Sequence, residues 1–488
     1  MDRERNRAMM LALGFLLSAG TAGSEVAINS VNVIDVETGA VLEDRTIVIA
    51  SDRIVDVVSA ATYEPAEGVR QIDGNGLFAM PGLWDMHIHM LNDVTEPVDW
   101  DFHSPAAEDP DQRQIYMPLY LAFGITGTRE LSGGLRSIAL REQIRGGEIL
   151  GPHMVVGSPL LDGPHPIWPE SPHISIDSPD SAVVVAERLH AQGFDFLKTY
   201  NFLSLESYRA LHRTARSLGI EVSGEIPISV SLWEAAELGH RTVEHLTGVE
   251  FASSRHEEEL RSRYVARIDA LNADPSSESP LDIWSRSEWE PLESLDVEKR
   301  TRLFAHLVEH ETWVVPTIVI QRMVSRSEDP EIANNPNFRY IDRWARDLTA
   351  AADEYDPERR LRPLHEYRAG IIDELHLAGV GILAGSDTPG GFTLLEELEI
   401  FVDAGLTPLD ALRTATLNAA RYLGREEDYG TVAPRRVADI VLLRENPLED
   451  IRNTRSIETV VFQGHVLERA QLDRMLEQLA EDAENWTE

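Results

Sequence analysis

The chain contains no cysteine. Disulfides, thiolate nucleophiles, iron–sulfur clusters and cysteine zinc sites are thereby excluded together. Lysine is almost absent: of 44 basic residues in 488, only Lys198 and Lys299 are lysine and the rest are arginine. Arginine stays protonated and cannot act as an amine nucleophile, so a position that keeps lysine points to a need for the amine itself. Positive charge is scarce overall. Against 83 acidic residues the net charge is −39, which repels phosphate backbones and anionic membranes and argues against nucleic acid as a partner. General disorder is excluded, because 43% apolar and 26% charged residues are ordinary globular usage. The length suits two or three domains, or one large barrel with additions.

An apolar run at residues 8–19 is too short to span a bilayer. It follows Arg3, Arg5 and Arg7 and precedes the small residues at 20–24, the pattern of a secretory signal peptide over 1–24. The mature chain is therefore expected to be exported, periplasmic or extracellular, with no membrane attachment after cleavage. Without cysteine, its stability must come from packing and size.

Residues 25–80 are rich in the branched side chains that strands prefer, punctuated by Gly39, Asp52 and Gly74. A similar set returns at 438–443 and 459–464. So few strands could hardly bury both faces alone. The two groups, 25–80 and 429–470, are expected to join in one small β-sandwich domain. Between them, over 81–428, short apolar strands alternate with helical stretches, the signature of parallel βα units. Strands are expected at 83–89, 124–130, 153–159, 194–200, 219–226, 241–246, 313–319 and 380–387. Eight such strands predict an α/β fold, a (β/α)8 TIM barrel with insertions. An open doubly wound sheet is the weaker reading, since no glycine-rich fingerprint follows a strand. The connections at 247–311 and 321–378 exceed the usual loop length; they are read as helical insertions, either lids over the active face or outer decoration. Residues 471–488 read as an amphipathic helix whose apolar side is Leu472, Met475, Leu476 and Leu479.

The polar residues at the strand ends carry the chemistry. His87 and His89 lie two apart, so on a strand they point the same way and can grip one divalent metal; Asp85 shares their phase. Lys198 closes an apolar run. It is either a surface cap or an amine that is carboxylated, forms a Schiff base or acts as a tuned base. Tyr200 shares its face. His245 and Asp387 each end a further run, at the end where barrel enzymes place catalytic groups. Imidazole and carboxylate donors suit zinc, iron, nickel, cobalt or manganese.

With these residues in order, the chain resembles the metal-dependent amidohydrolase superfamily, in its imidazolonepropionase-related and prolidase-like branch. The motifs are "PGLWDMHIH", "GFDFLKTY", "RTVEHL", "GILAGSDT", "AGLTPLDALRTATLNAARYLG" and "ADIVLLRENPLEDI". The resemblance implies a metal centre of one or two divalent ions, zinc being the expected one. His87 and His89 would bind the first metal with Asp387, a carboxylated Lys198 would bridge two metals, and His245 would bind the second. One position departs. Where the family pattern has a histidine ligand after Gly224, this chain has Glu225. Glutamate can ligate the same metals, but a carboxylate there could also weaken the second metal, turn to solvent, or pair with an arginine such as Arg129. The family's histidine ahead of Glu396-Glu397-Leu398 is replaced by Leu395.

The ligand set implies attack by metal-activated water, with Asp387 as general base and then acid and Tyr200 as a donor to the oxyanion. The expected function is an exported amide hydrolase acting on dipeptides or N-acyl amino acids. An ester or lactone substrate at the same site, and a degenerate ligand-binding member without turnover, are the alternatives. The expected partner is a small amide or peptide substrate, and homo-oligomerisation is left open.

Overall fold

A computed structural model describes residues 25–89, 117–169, 173–341 and 360–485. The proposed signal peptide at 1–24 lies outside them. Among the described residues, seventeen strands fall into three sheets. The strands of the two chain ends share one sheet: β1 (Val26–Ile34), β2 (Val41–Ala50), β3 (Arg53–Ser59), β4 (Arg70–Asp73) and β5 (Phe78–Pro81) with β15 (Ile440–Leu443), β16 (Ile457–Phe462) and β17 (His465–Glu468). The join is antiparallel, with Ile440 opposite Pro81 and Leu443 opposite Phe78. Alternation along β15 explains why the sheet is stable. Ile440 and Leu442 pack with Val31, Ile47 and Ile49 on one side, while Val441 and Leu443 enter the main core on the other. Both faces are therefore covered.

The remaining strands are parallel. β6 (Leu83–Ile88), β7 (Ile125–Glu130) and β8 (His153–Val156) form one sheet. β11 (Phe196–Thr199), β12 (Glu221–Gly224), β13 (Thr242–Glu244) and β14 (Trp313–Val315) form the other. β9 (Leu160–Asp162) and β10 (His173–Ser175) add a short edge beside β11 that the sequence pattern does not predict. A single bridge from Gly157 to Phe196 links the two parallel sheets, and another joins Val314 of β14 to Ile382. Backbone bonds from Met86 to the Ala384 carbonyl and from Asp387 to the His87 carbonyl bring the chain around residues 382–387 back to β6.

Two expected strands need correction. The run at 313–319 is a strand only to Val315, and a helix starts at Ile318. The segment 380–387 carries one bridge rather than a strand. The physical reason lies in its glycines. A Cβ at Gly381 would lie 2.2 Å from the Trp313 ring, and one at Gly385 would lie 2.7 Å from the His87 Cβ. Close approach of neighbours, not ladder pairing, fixes this segment. The same device recurs at Gly127 against Trp84 and Gly157 against Phe196: a glycine on one strand makes room for an aromatic ring on the next.

Helices fill the stretches between the strands, as the alternation predicts. Pro179–Gln192 starts at a Ser178 cap and stops at left-handed Gly193; Leu205–Leu218 starts at Ser204 and stops at Gly219. Both long connections are helical among the described residues, and their last helices, Val297–Glu309 and Ile372–Ala378, put Leu303, Phe304, Leu307, Ile372 and Leu375 into the main core. The terminal helix Arg469–Asn485 buries Leu472 and Leu479. No described helix is long and apolar enough to cross a membrane.

Candidate metal centre

His87, His89, Lys198, Tyr200, Glu225 and His245 sit at the C-terminal ends of strands and Asp387 ends the bridged segment 380–387, and the backbone is strained at several of these turns. His245, Thr317 and Asp387 all have positive φ, 57°, 47° and 54°. Non-glycine residues pay a conformational penalty of roughly 1–3 kcal/mol to be held this way, and such residues cluster at functional sites. Asp85 helps to hold the turn: its carboxylate accepts from the Ser386 backbone N–H at 2.9 Å and from the Ser386 hydroxyl at 2.6 Å. Burial outweighs these bonds and pushes the Asp85 carboxyl up to about 7.

Residues 300 positions apart in the chain converge here. His87 Nε2 lies 3.3 Å from His89 Nε2 and 3.5 Å from Asp387 Oδ1, and His89 Nε2 lies 3.1 Å from the same oxygen. A donor atom from each of the three residues lies within 4.8 Å of the others. The orientation of His87 is set from below. Its Nδ1 lies 2.8 Å from Glu244 Oε2, while Arg129 donates to Glu244 Oε1 at 3.0 Å. All three side chains are fully buried. Burial would raise the Glu244 carboxyl, but Arg129 and His87 hold it well below its usual range. An ionised Glu244 keeps the hydrogen on His87 Nδ1 and leaves the Nε2 lone pair facing His89 and Asp387, the arrangement by which outer carboxylates orient metal-ligating histidines.

A second group adjoins the first. His245 Nε2 lies 3.6 Å from Glu225 Oε1, and its Nδ1 lies 2.6 Å from the Thr317 hydroxyl and 3.8 Å from Asp387 Oδ2. The other Glu225 oxygen accepts a hydrogen bond from Asn201 Nδ2. Glu225 is buried toward this group and does not pair with Arg129, which is committed to Glu244. Gly224 makes the turn possible: its φ is +129°, and a Cβ there would lie 2.5 Å from the Thr199 carbonyl and 2.9 Å from the Lys198 side chain. Lys198 is 1% exposed. Tyr200 lies beside it, with Lys198 Nζ 6.0 Å from the ring centre. The Tyr200 hydroxyl accepts from Trp168 Nε1 at 2.8 Å and so keeps its own hydrogen to donate.

Burial dominates the electrostatics. It lowers His87 to about 4 and His245 well below the usual imidazole value, despite the nearby carboxylate of Asp387. Both rings are neutral at neutral pH, the form that ligates metal. Burial would raise Asp387, but the surrounding imidazoles reverse it and hold the carboxyl below its ordinary range. Burial lowers the Lys198 amine against the pull of Glu225, Glu244 and Asp387, and raises the Glu225 carboxyl to about 8 against the pull of Lys198. The donor set fits a divalent transition metal. Two imidazole nitrogens and an ionised carboxylate oxygen meet at one point, with a carboxyl group, an imidazole and a buried amine around a second.

The structure brings together His87, His89, Asp387, His245 and Glu225, and places Lys198 and Tyr200 alongside. Sequence reasoning did not identify Glu244 and Arg129 as the support of His87, Asn201 as the partner of Glu225, or Thr317 as the partner of His245. Glu244 adjoins His245 in the "VEH" stretch, but its role needs the contact with β6. Glu397 was also missed. It accepts from the Ile318 and Val319 backbone N–H groups at 2.9 and 2.7 Å, anchoring the helix that follows Thr317.

Residues 234–467 match the model of the Amidohydrolase family, so the resemblance drawn from the motifs is borne out. The ochratoxinase of Aspergillus niger is 38% identical over 124 residues, 25% of this chain and 23% of the relative. The matched stretch thus spans under a quarter of that relative's length. Among solved structures, a Xaa-Pro dipeptidase with methionine bound in its active site superposes with a TM-score of 0.64 at 18% identity, covering 91% of this chain and 100% of that one. The A. niger ochratoxinase superposes with a TM-score of 0.63 at 19% identity, covering 91% and 96%. The fold is that of these enzymes.

Proposed function

We propose that this chain is an exported, metal-dependent hydrolase of amide bonds, built on a (β/α)8 barrel and acting on dipeptides or N-acyl amino acids. The observation that carries the reading is the meeting of His87 Nε2, His89 Nε2 and Asp387 Oδ1 within 3.1–3.5 Å of one another at the strand ends. His87, His89 and Asp387 would hold the first divalent metal, zinc being our expectation. His245, Glu225 and a carboxylated Lys198 would hold the second. When bound, such an ion acidifies a water and polarises the substrate carbonyl.

The chain's own residues supply the rest. Asp387, kept ionised among imidazoles, accepts the proton of the attacking water and returns it to the leaving nitrogen. Glu244, fixed by Arg129, keeps His87 in the ligating tautomer. Tyr200 donates its hydroxyl hydrogen to the developing oxyanion, with Trp168 setting the direction of that bond. The choice of an amide rests on the relatives: the fold neighbours include a Xaa-Pro dipeptidase, and ochratoxinase is a neighbour in both sequence and fold.

Elemental analysis of protein purified without chelator, combined with a panel of dipeptides, N-acyl amino acids, esters and lactones, tests the proposal. At least one transition metal per chain and turnover of amides lost on chelation are expected. Full activity in metal-free protein would overturn it. Turnover confined to esters or lactones would replace the amide reading, and metal binding without turnover of any class would make the chain a ligand-binding member.

A further inference from the structure

A second set of metal-type donors lies on the outside of the same domain. The last turn of the helix Val297–Glu309 carries His306 and Glu309 and its cap is His310, and the three offer donor atoms within 4.8 Å of one another. The spacing i, i+3, i+4 places them on one face of the last turn. The chain then turns directly into Trp313, the first residue of β14. This cluster therefore sits at the N-terminal end of a strand, opposite the end that carries His87 and Asp387.

We propose that His306, Glu309 and His310 form a peripheral site for a transition-metal dication of the zinc, nickel or copper type. The inference is independent of the proposed amide hydrolysis. Three features carry it. His306 Nε2 lies 3.0 Å from the Trp233 carbonyl and must donate to it. That bond fixes the tautomer, leaves Nδ1 as the nitrogen with a free lone pair, and holds the ring as outer partners hold ligating histidines. The rings of His306 and His310 are adjacent, with centroids 4.3 Å apart, so two imidazoles reach one ion without a large rearrangement. The local field favours a cation: the carbonyl end of the helix is negative, Glu309 is exposed and free to swing in, and Glu237 Oε1 lies 4.0 Å from His306 Nε2. Two nitrogens and one oxygen suit zinc, nickel or copper better than magnesium or calcium. Three protein donors leave further positions to water, so binding at this site is weaker than in a closed four-ligand site.

Equilibrium dialysis of the full-length protein against micromolar free zinc, followed by elemental counting, tests this. Wild type should hold one more zinc per chain than His310→Ala. Glu309→Gln, a change at an exposed side chain, should bind that extra ion several-fold more weakly. With copper in place of zinc, nitrogen coupling from this site should disappear from the paramagnetic resonance spectrum in His310→Ala. Turnover should be unchanged in both variants, because neither touches the strand-end donors. Equal metal content in wild type, His310→Ala and Glu309→Gln would overturn the proposal.

Discussion

The two ends of the parallel strands are built from opposite materials. Near the N-terminal ends, Trp84 of β6 and Trp313 of β14 belong to a buried cluster that also takes in Met86, Val315, Leu383, Ala419 and Tyr422, with Tyr429 packed against it. Trp84 meets Tyr429 edge-on at 5.4 Å, and Trp313 meets Tyr422 edge-on at 6.0 Å. Glycines on adjacent strands give these rings their space. At the C-terminal ends of β6, β11, β12 and β13, the buried groups are His87, Lys198, Glu225 and Glu244. Ionised groups taken from water cost several kcal/mol unless each finds a partner, whereas a buried aromatic ring stabilises by its area and its ring contacts. One end therefore supplies stability and the other holds a reactive arrangement that the first supports. His245, Thr317 and Asp387, all at positive φ, lie at the second end.

Substitutions that break this division have ordered effects. The largest is expected for Asp387→Asn, which removes the proposed proton acceptor. Its kcat/KM should fall by about 10²–10⁴-fold, while thermal unfolding stays close to wild type. Unfolding that collapsed with activity would show that the polar end is also structural. Trp84→Ala should do the reverse, costing about 3–5 kcal/mol of stability in denaturant unfolding with kcat per folded molecule unchanged. Lys198→Arg keeps the charge and nearly the length, but a guanidinium cannot form the carbamate. It should abolish most turnover and lower metal content, and wild-type rates in this variant would remove the amine from the mechanism. Glu225→Gln should reduce metal at the second position, read by elemental counting, while Glu225→His should retain both metal and activity. The smallest effect is expected for Thr317→Val. Losing the bond to His245 Nδ1 should lower kcat/KM by about five- to tenfold, the equivalent of one hydrogen bond of about 1 kcal/mol.

Much of the candidate site was legible because its donors are rare or oddly placed. His87 and His89 stand at the end of an apolar run, Lys198 is one of two lysines, and His245 and Asp387 close further runs. Strand positions followed from branched apolar stretches, and the helical stretches from their alternation with those strands. The segment 380–387 was misread as a full strand because its composition is strand-like, while its backbone answers to Trp313 and His87. The edge strands β9 and β10 are three residues each, too short for alternation to be visible. The support around the donors was illegible for another reason. Arg129 and Glu244 are separated by 115 positions, and His245 and Thr317 by 72; nothing local marks them as pairs.

The sequence by itself determined the inventory: which donors exist, that no thiolate competes with them, that amines are confined to two positions, and that parallel strands place such residues at their ends. Periodicity and composition are local, and those properties need no knowledge of neighbours. Only the tertiary structure decided which donors meet and in what protonation state. The approach of Asp387 to His87 depends on the glycine-lined return of residues 382–387 to β6, and the neutrality of His87 depends on burial above an Arg129–Glu244 pair. Distance and desolvation are properties of packing, so a chain of the same composition folded otherwise would carry the same histidines as ordinary surface groups.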